Sequence, residues 1–129
     1  YDFLYFYCQK GNSRNKIRRC LHVLGIDTSD VLDIIFPFHN IVGILVHKDD
    51  RTKICKILAK QANIKPIKNF NPMDPAYLGT NKDPHVSDEE QVAKLFKKHK
   101  KRCIHTLNFV PKAYFSPILV AFMSKGWLT

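Results

Sequence analysis

The side chains of this sequence that are best suited to chemistry are cationic. Lysine and arginine number 21 against 11 aspartates and glutamates, so the 129-residue chain carries a net charge of +10. The densest basic run is residues 97–102, and a second basic group lies at residues 14–19. Ammonium and guanidinium groups at this density attract phosphates or carboxylates. An acidic partner is therefore expected. Nucleic acid and an anionic membrane surface both fit this charge, and we predict nucleic acid and no membrane partner.

We predict that the chain binds RNA or DNA mainly through basic helix surfaces. Contacts from such surfaces to phosphates hold nucleic acid with little selection among sequences. The predicted contact residues are Arg14, Lys16, Arg18, Arg19, Lys97, Lys98, Lys100, Lys101, Arg102 and Tyr5. A solvated helix face without a ligand is the alternative interpretation of the charges in the first basic group.

His99 and Cys103 are one helical turn apart, a spacing that could begin a zinc site. No second pair of ligands matches them in the sequence, so packing is the favoured interpretation. No glycine-rich phosphate loop is visible, and helix capping explains Asp49-Asp50 without catalysis. We therefore expect no enzymatic activity, no metal and no cofactor.

The cysteines favour a reducing compartment. Cys8, Cys20, Cys55 and Cys103 are widely spaced within apolar segments, which predicts buried reduced thiols rather than disulfides. An intracellular location, cytoplasmic or nuclear, is expected. No apolar run approaches the roughly 20 residues of a membrane helix. Because the sequence starts at Tyr1 without a methionine, we expect a fragment of a longer protein.

The elements that must position these residues follow the order β-α-β-β-α-β over residues 1–70. An aromatic first strand is followed by a helix that Ser13 caps and Gly25 ends. The remaining predicted elements are strands at residues 31–36 and 41–47, a helix from Asp49-Asp50 to Asn63, and a short strand at residues 64–70. This pattern predicts an α+β, ferredoxin-like domain with a four-stranded antiparallel sheet and both helices on one face.

The rest of the chain predicts a two-helix extension. Residues 71–86 form a linker loop, and residues 87–129 form helices that pack on the same domain. A capping box opens the first helix at Ser87. Its expected inner face consists of Val92, Leu95, Phe96, His99 and Cys103. The last helix starts near Pro111, or near Ser116 if Pro117 delays it, and Trp127-Leu128 fold back onto the body.

Residues 1–70 resemble an RNA-recognition-motif-like domain in element order, basic balance and aromatic first strand. In that family, aromatic side chains on the first and third strands stack on bases. The resemblance implies stacking by Tyr5 or by its face-mates Phe3 and Tyr7. Val42-Gly43-Ile44 stands where the third strand of the family carries aromatics. The alternative, which we favour, is that the C-terminal helices cover this face of the sheet and bury its rings.

A second resemblance concerns the source of the sequence. It is carried by residues 31–37, residues 42–47, Asp74-Pro75, residues 87–90 and Lys125-Gly126-Trp127. These segments are similar to ones encoded by fungal retrotransposons, in which RNA-recognition-like domains accompany LINE-type reverse transcriptases. The resemblance implies binding to the RNA of such an element.

The apolar character of both sheet faces and of the last helix supports a different function. These surfaces exceed what a small domain must bury, which favours a protein-interaction or assembly module without direct nucleic-acid binding. Its partners would be further copies of the chain or other regions of a larger parent protein.

Overall fold

The chain divides into two compact units, residues 1–69 and residues 70–129. The computed structural model describes residues 1–9, 11–81 and 84–128. The first unit contains strands β1 (Asp2–Tyr7), β2 (Val31–Phe38) and β3 (Ile41–Val46) with helices α1 (Arg14–Val23) and α2 (Arg51–Ala62). The second contains helices α3 (Asp88–Phe109) and α4 (Lys112–Ser124). The predicted α+β class is confirmed.

The three strands form one antiparallel sheet in the order β1-β3-β2. β2 and β3 are the predicted hairpin, with His39 and Asn40 at the turn. The structure has no regular strand over residues 64–70, where the fourth was predicted. One strand-like bond exists there, because the Ile67 amide donates to the Tyr5 carbonyl at 2.8 Å. Pro66 has no amide hydrogen, and Asn69 turns the chain with a φ of 55°.

Both ends of α1 follow the sequence prediction. The Ser13 hydroxyl accepts a hydrogen bond from the Lys16 amide at 3.2 Å. At the other end Gly25 adopts a φ of 90°, and the Ile26 amide then donates to the Leu21 carbonyl at 2.9 Å. This is the bond pattern of a glycine-terminated helix, and it places Ile26 in the core.

The start of α2 differs from the prediction that a carboxylate of Asp49-Asp50 caps it. Asp50 precedes the helix but makes no side-chain cap bond. The reason is a single 3-10 turn at Lys48–Asp50, which gives Asp50 helical dihedrals instead of the extended ones that a capping side chain needs. His47 caps this turn through Nδ1, which accepts from the Asp49 amide at 3.1 Å. Asn63 ends α2 in the left-handed conformation, as predicted.

The sheet has apolar side chains on both faces, and both sets are buried. Leu4, Phe6, Ile34 and Ile44 belong to a core cluster that also contains residues of α1 and α2. Residues of the opposite face are equally buried: Phe3, Tyr5, Ile35 and Leu45. Burial on both faces explains why β2 and β3 read as continuous apolar runs instead of alternating patterns.

The ring of Tyr5 lies close to the backbone of Gly43. They are cross-strand partners, and Gly43 also pairs with Ile35 on the other side. A Cβ atom added at Gly43 would lie 2.9 Å from Cε1 of Tyr5 and 3.0 Å from Cγ1 of Ile35. The aromatic ring therefore occupies the space that a side chain at position 43 would take.

The second unit is organised around α3. The Ser87 hydroxyl accepts from the Glu90 amide at 3.2 Å, which confirms the predicted cap. Trp127 is buried, and its ring lies 4.3 Å from that of His99 and 5.8 Å from that of Phe122. Trp127 thus folds back onto helices α3 and α4 of its own unit. The predicted inner face is wrong at Val92 and Phe96, which are exposed because Gln91, His99 and Thr106 turn inward.

Pro117 does not delay α4, which runs unbroken from Lys112. Its missing amide hydrogen removes one helical bond, to the carbonyl of Ala113. Both residues are exposed, so water can satisfy that carbonyl.

Replacing Gly43 with alanine should destabilise the first unit by about 1–3 kcal/mol, because the new methyl group collides with the Tyr5 ring. Urea unfolding of Gly43→Ala, Tyr5→Leu and the double variant measures the coupling between the two positions. The alanine should cost less stability when Tyr5 is already leucine. An equal cost in both backgrounds would show that the ring does not restrict position 43.

Candidate nucleic-acid interface

The four basic residues predicted on α1 form two opposed pairs. Arg14 and Arg18 are half-buried, whereas Lys16 and Arg19 are exposed. Arg14 Nε donates to the Ile34 carbonyl at 2.8 Å, and Arg18 Nη1 donates to the Val31 carbonyl at 3.1 Å. Both acceptors belong to β2. The two arginines therefore connect α1 to the sheet, and their guanidinium groups are not simply displayed to a ligand.

This use of arginine follows from the place of β2 in the sheet. In the described residues β2 pairs only with β3, so its other edge carries backbone groups without a strand partner. The guanidinium groups of Arg14 and Arg18 donate hydrogen bonds to two carbonyls of this strand. The buried carboxylate of Asp33 accepts the Ile34 amide at 2.8 Å and lies 3.8 Å from Arg14 Nη2. Charged groups along an edge also disfavour pairing with another chain.

Tyr5 is only 7% exposed. Its ring lies over Gly43 and 5.9 Å from the ring of Phe3, in a tilted arrangement. A base can stack only on a ring whose face is accessible. The buried ring of Tyr5 is therefore not accessible to a base. Tyr7, which the resemblance also implied, is 61% exposed at the end of β1.

The basic residues of α3 form a continuous stripe. Lys97, Lys98 and Lys101 share one side of the helix with Lys94 and His105, at the spacing i, i+3, i+4, i+7 and i+11. All five are exposed. The stripe is about three turns long, or roughly 16 Å. We call these five residues the α3 stripe.

The buried residues of α3 lie on the opposite side of the helix. They are Gln91, Leu95, His99, Cys103, Thr106 and Leu107. The helix thus has a core face and a basic face, although the hydrophobic pattern of its sequence is irregular. Among the described residues, none of the four lysines of the stripe takes part in an ion pair. Their ammonium groups are therefore available to an external anion.

Two predicted residues of the run lie off the stripe. Lys100 is exposed but projects from another side of the helix. Arg102 is half-buried, and its Nη2 lies 3.4 Å from Nδ1 of His99. Lys94 and His105 were missed by the sequence prediction. Their spacing from Lys98 and Lys101 would have revealed them, once the helix was extended over its full 22 residues.

His99 and Cys103 belong to the core of the second unit. Burial lowers the pKa of His99 to about 3, and the Arg102 guanidinium acts in the same direction. Burial also raises the pKa of the Cys103 thiol to about 12, against the opposing effect of Arg102. A neutral imidazole and a protonated thiol suit buried positions, and the His99 ring packs against Trp127. In the part of the chain that the structure describes, no three histidine, cysteine or acidic side chains are grouped as metal ligands.

The thiols are less uniformly buried than predicted. All four cysteines are free, and Cys103 is buried. Cys8 and Cys55 are half-buried, and burial raises the pKa of each thiol. Cys20 is exposed on α1, so the prediction of a buried thiol is wrong there. Its position one residue before Leu21 turns it away from the core face of the helix.

Comparison with protein-family models, curated proteins and solved structures gives no match. No helix in the described ranges combines the length and the apolar character that a membrane crossing requires.

Arg14→Ala should lower the stability of the first unit by about 1–2 kcal/mol, because it removes a donor from the edge strand and a partner from buried Asp33. Arg14→Lys should be nearly as destabilising, since an ammonium group lacks the planar donor geometry. Chemical unfolding measures both, with exposed Lys16→Ala as the control. If the lysine variant matches the wild type in stability while Arg14→Ala loses RNA affinity, Arg14 is a phosphate contact instead.

The second unit should lose stability as the pH falls from about 6.5 to about 3. In this window the unfolded chain protonates His99 and the folded chain does not, so unfolding takes up a proton. The slope from this residue approaches about 1.4 kcal/mol per pH unit. The fluorescence of Trp127, the only tryptophan, reports unfolding of this unit. His99→Leu should show a shallower pH dependence, and an unchanged slope would contradict the buried neutral imidazole.

Proposed function

We propose that the chain is a nucleic-acid-binding module and that the α3 stripe is its binding surface. RNA is the ligand that we favour. The observation that carries the proposal is the alignment of Lys94, Lys97, Lys98 and Lys101 on one exposed helix face without internal ion pairs. Four cations in a row that the fold does not neutralise repel one another. A line of phosphates relieves that repulsion and releases bound counterions.

The electrostatics of α3 support contacts to a phosphate backbone. Its first turn contains Asp88, Glu89 and Glu90, which interact favourably with the helix dipole. The lysines begin one turn later and continue along the outer face. The acidic first turn limits the stripe at its N-terminal end, so a bound strand should follow the part of the helix from Lys94 onward.

The stripe selects for charge and spacing more than for sequence. Lysine presents a flexible point charge, whereas bidentate recognition of a base edge favours arginine. The only arginine of the run, Arg102, is directed toward His99. With Tyr5 buried, the proposed interface has no stacking ring. We therefore infer salt-sensitive binding that tolerates many sequences.

Lys16 and Arg19 are a secondary candidate surface on the first unit. Both are exposed, and they lie on the side of α1 away from Arg14 and Arg18. Two charges give a weaker electrostatic anchor than four. We assign them a supporting role at most.

We also propose that the first unit has a ferredoxin-like topology. The order β1-β3-β2 is that of three strands of such a sheet, with the vacant place beside β1. Residues 64–67 follow α2, and the bond from the Ile67 amide to the Tyr5 carbonyl joins them to β1. This topology is compatible with the resemblance to RNA-recognition-motif-like domains.

Neutralising two lysines of the stripe, in Lys97→Gln/Lys101→Gln, should weaken RNA binding and flatten its salt dependence. Loss of two phosphate contacts reduces the slope of log affinity against log salt by about 1.4 for a single strand and about 1.8 for a B-form DNA duplex. Fluorescence polarisation with a uridine homopolymer and a mixed-sequence DNA duplex, over a series of salt concentrations, measures both quantities.

Lys60→Gln/Lys68→Gln is the matched control. These exposed lysines of the first unit lie outside the α3 stripe, and their replacement changes the net charge equally. The control should bind nearly as the wild type does. Equal losses in both variants would indicate attraction to net charge alone, and the absence of binding at low salt would refute the nucleic-acid function.

A further inference from the structure

A groove of about 590 Å³ lies within the first unit, between α2 and the extended segment at residues 64–66. Its apolar surface comes from Cys55, Ala59, Ile64 and Pro66. Cationic residues and one hydroxyl complete the lining: Lys48, Arg51, Thr52, Lys56 and Lys65. The groove is therefore apolar at its centre and basic around it, with no acidic residue in its lining.

The apolar part of the groove is accessible. Ala59 is exposed, and Cys55, Ile64 and Pro66 are half-buried. The surrounding cations differ in whether they form an ion pair. Arg51 Nη1 lies 3.5 Å from an Asp2 carboxylate oxygen, whereas Lys48, Lys56 and Lys65 have no ion pair among the described residues. Three uncompensated ammonium groups thus surround accessible aliphatic surface.

We propose that this groove docks an extended peptide of a partner protein in which carboxylates alternate with aliphatic side chains. Alternate side chains of an extended strand point to opposite sides. Aliphatic groups on one side would cover Ala59 and Ile64, and carboxylates on the other would approach the lysines. Burial of apolar area supplies affinity, and the charges supply orientation and association rate.

The chemistry of the lining favours such a peptide over a nucleic-acid strand. Bases bind to single-strand grooves by stacking on aromatic rings, or on arginine planes. No aromatic residue lines this groove, and its one arginine is paired with Asp2. A phosphate backbone would contact the lysines but leave the aliphatic surface uncovered. The groove belongs to the first unit and the α3 stripe to the second, so this interaction does not depend on the proposed nucleic-acid function.

The test uses the whole chain and a fluorescent synthetic peptide of alternating glutamate and leucine. Fluorescence polarisation should detect its binding, whereas peptides of alternating glutamate and serine, or lysine and leucine, should bind on the order of tenfold more weakly. If the glutamate–serine peptide binds equally well, the interaction is charge attraction alone and the proposal is wrong. No binding of the glutamate–leucine peptide would also refute it.

Two alanines of α2 provide a matched pair of variants. Ala59→Trp places a large side chain in the groove and should weaken peptide binding on the order of tenfold. Ala62→Trp adds the same side chain at an exposed position outside the lining and should leave binding unchanged. Similar losses in both variants would place the peptide elsewhere, whatever the effect of either change on stability.

Cysteine alkylation locates the bound peptide independently of any substitution. Cys55 lines the groove, and exposed Cys20 on α1 does not. Because burial raises the pKa of the Cys55 thiol, the reaction is run at mildly alkaline pH and read by mass spectrometry. The peptide should slow alkylation of Cys55 and leave Cys20 unaffected. Protection of Cys55 by a uridine homopolymer, with none by the peptide, would instead make the groove a nucleic-acid site.

Discussion

Close packing of the Tyr5 ring over Gly43 determines which surfaces of the first unit are left for a ligand. Because Gly43 pairs with Tyr5 on one side and with Ile35 on the other, the contact lies where all three strands meet. The ring can lie against the backbone of β3 only because position 43 has no side chain. A tyrosine held in this way contributes apolar packing to the sheet. The face of this ring is not accessible to a base, so ligand contacts of the first unit are left to the outer surfaces of its helices.

The cationic residues divide according to the chemistry of their side chains. Arg14 and Arg18 use directed guanidinium donors to satisfy carbonyls of an edge strand, and Arg51 pairs with Asp2. Lysines dominate the surfaces that remain free, on α3 and around the groove beside α2. A planar fork of donors suits fixed internal acceptors, whereas a flexible, strongly hydrated ammonium group loses little by staying in water. Counting lysine and arginine together therefore overstates the charge that is available to a ligand.

Local signals in the sequence were sufficient to predict several elements. Ser13, Gly25 and Ser87 act through contacts a few residues away, so their positions could be derived without the fold. The roles of Arg14 and Arg18 could not, because their acceptors lie in β2, more than ten residues along the chain. The inner face of α3 could also not be predicted from the sequence. Three polar residues face its core, and buried His99 is accommodated by Trp127, which lies far away in sequence. Hydrophobic periodicity places such residues on the wrong side of a helix.

The α3 stripe and the groove beside α2 would contribute differently to recognition, the stripe through affinity and the groove through selectivity. Lysine contacts to phosphates provide affinity and register, but they carry almost no information about sequence. A module with only such contacts would be distributed over any nucleic acid that is present. Docking of an acidic, aliphatic peptide is selective, because apolar burial and charge must match along the same segment. The partner protein would then determine where the module acts, and the lysines would hold whichever strand is found there.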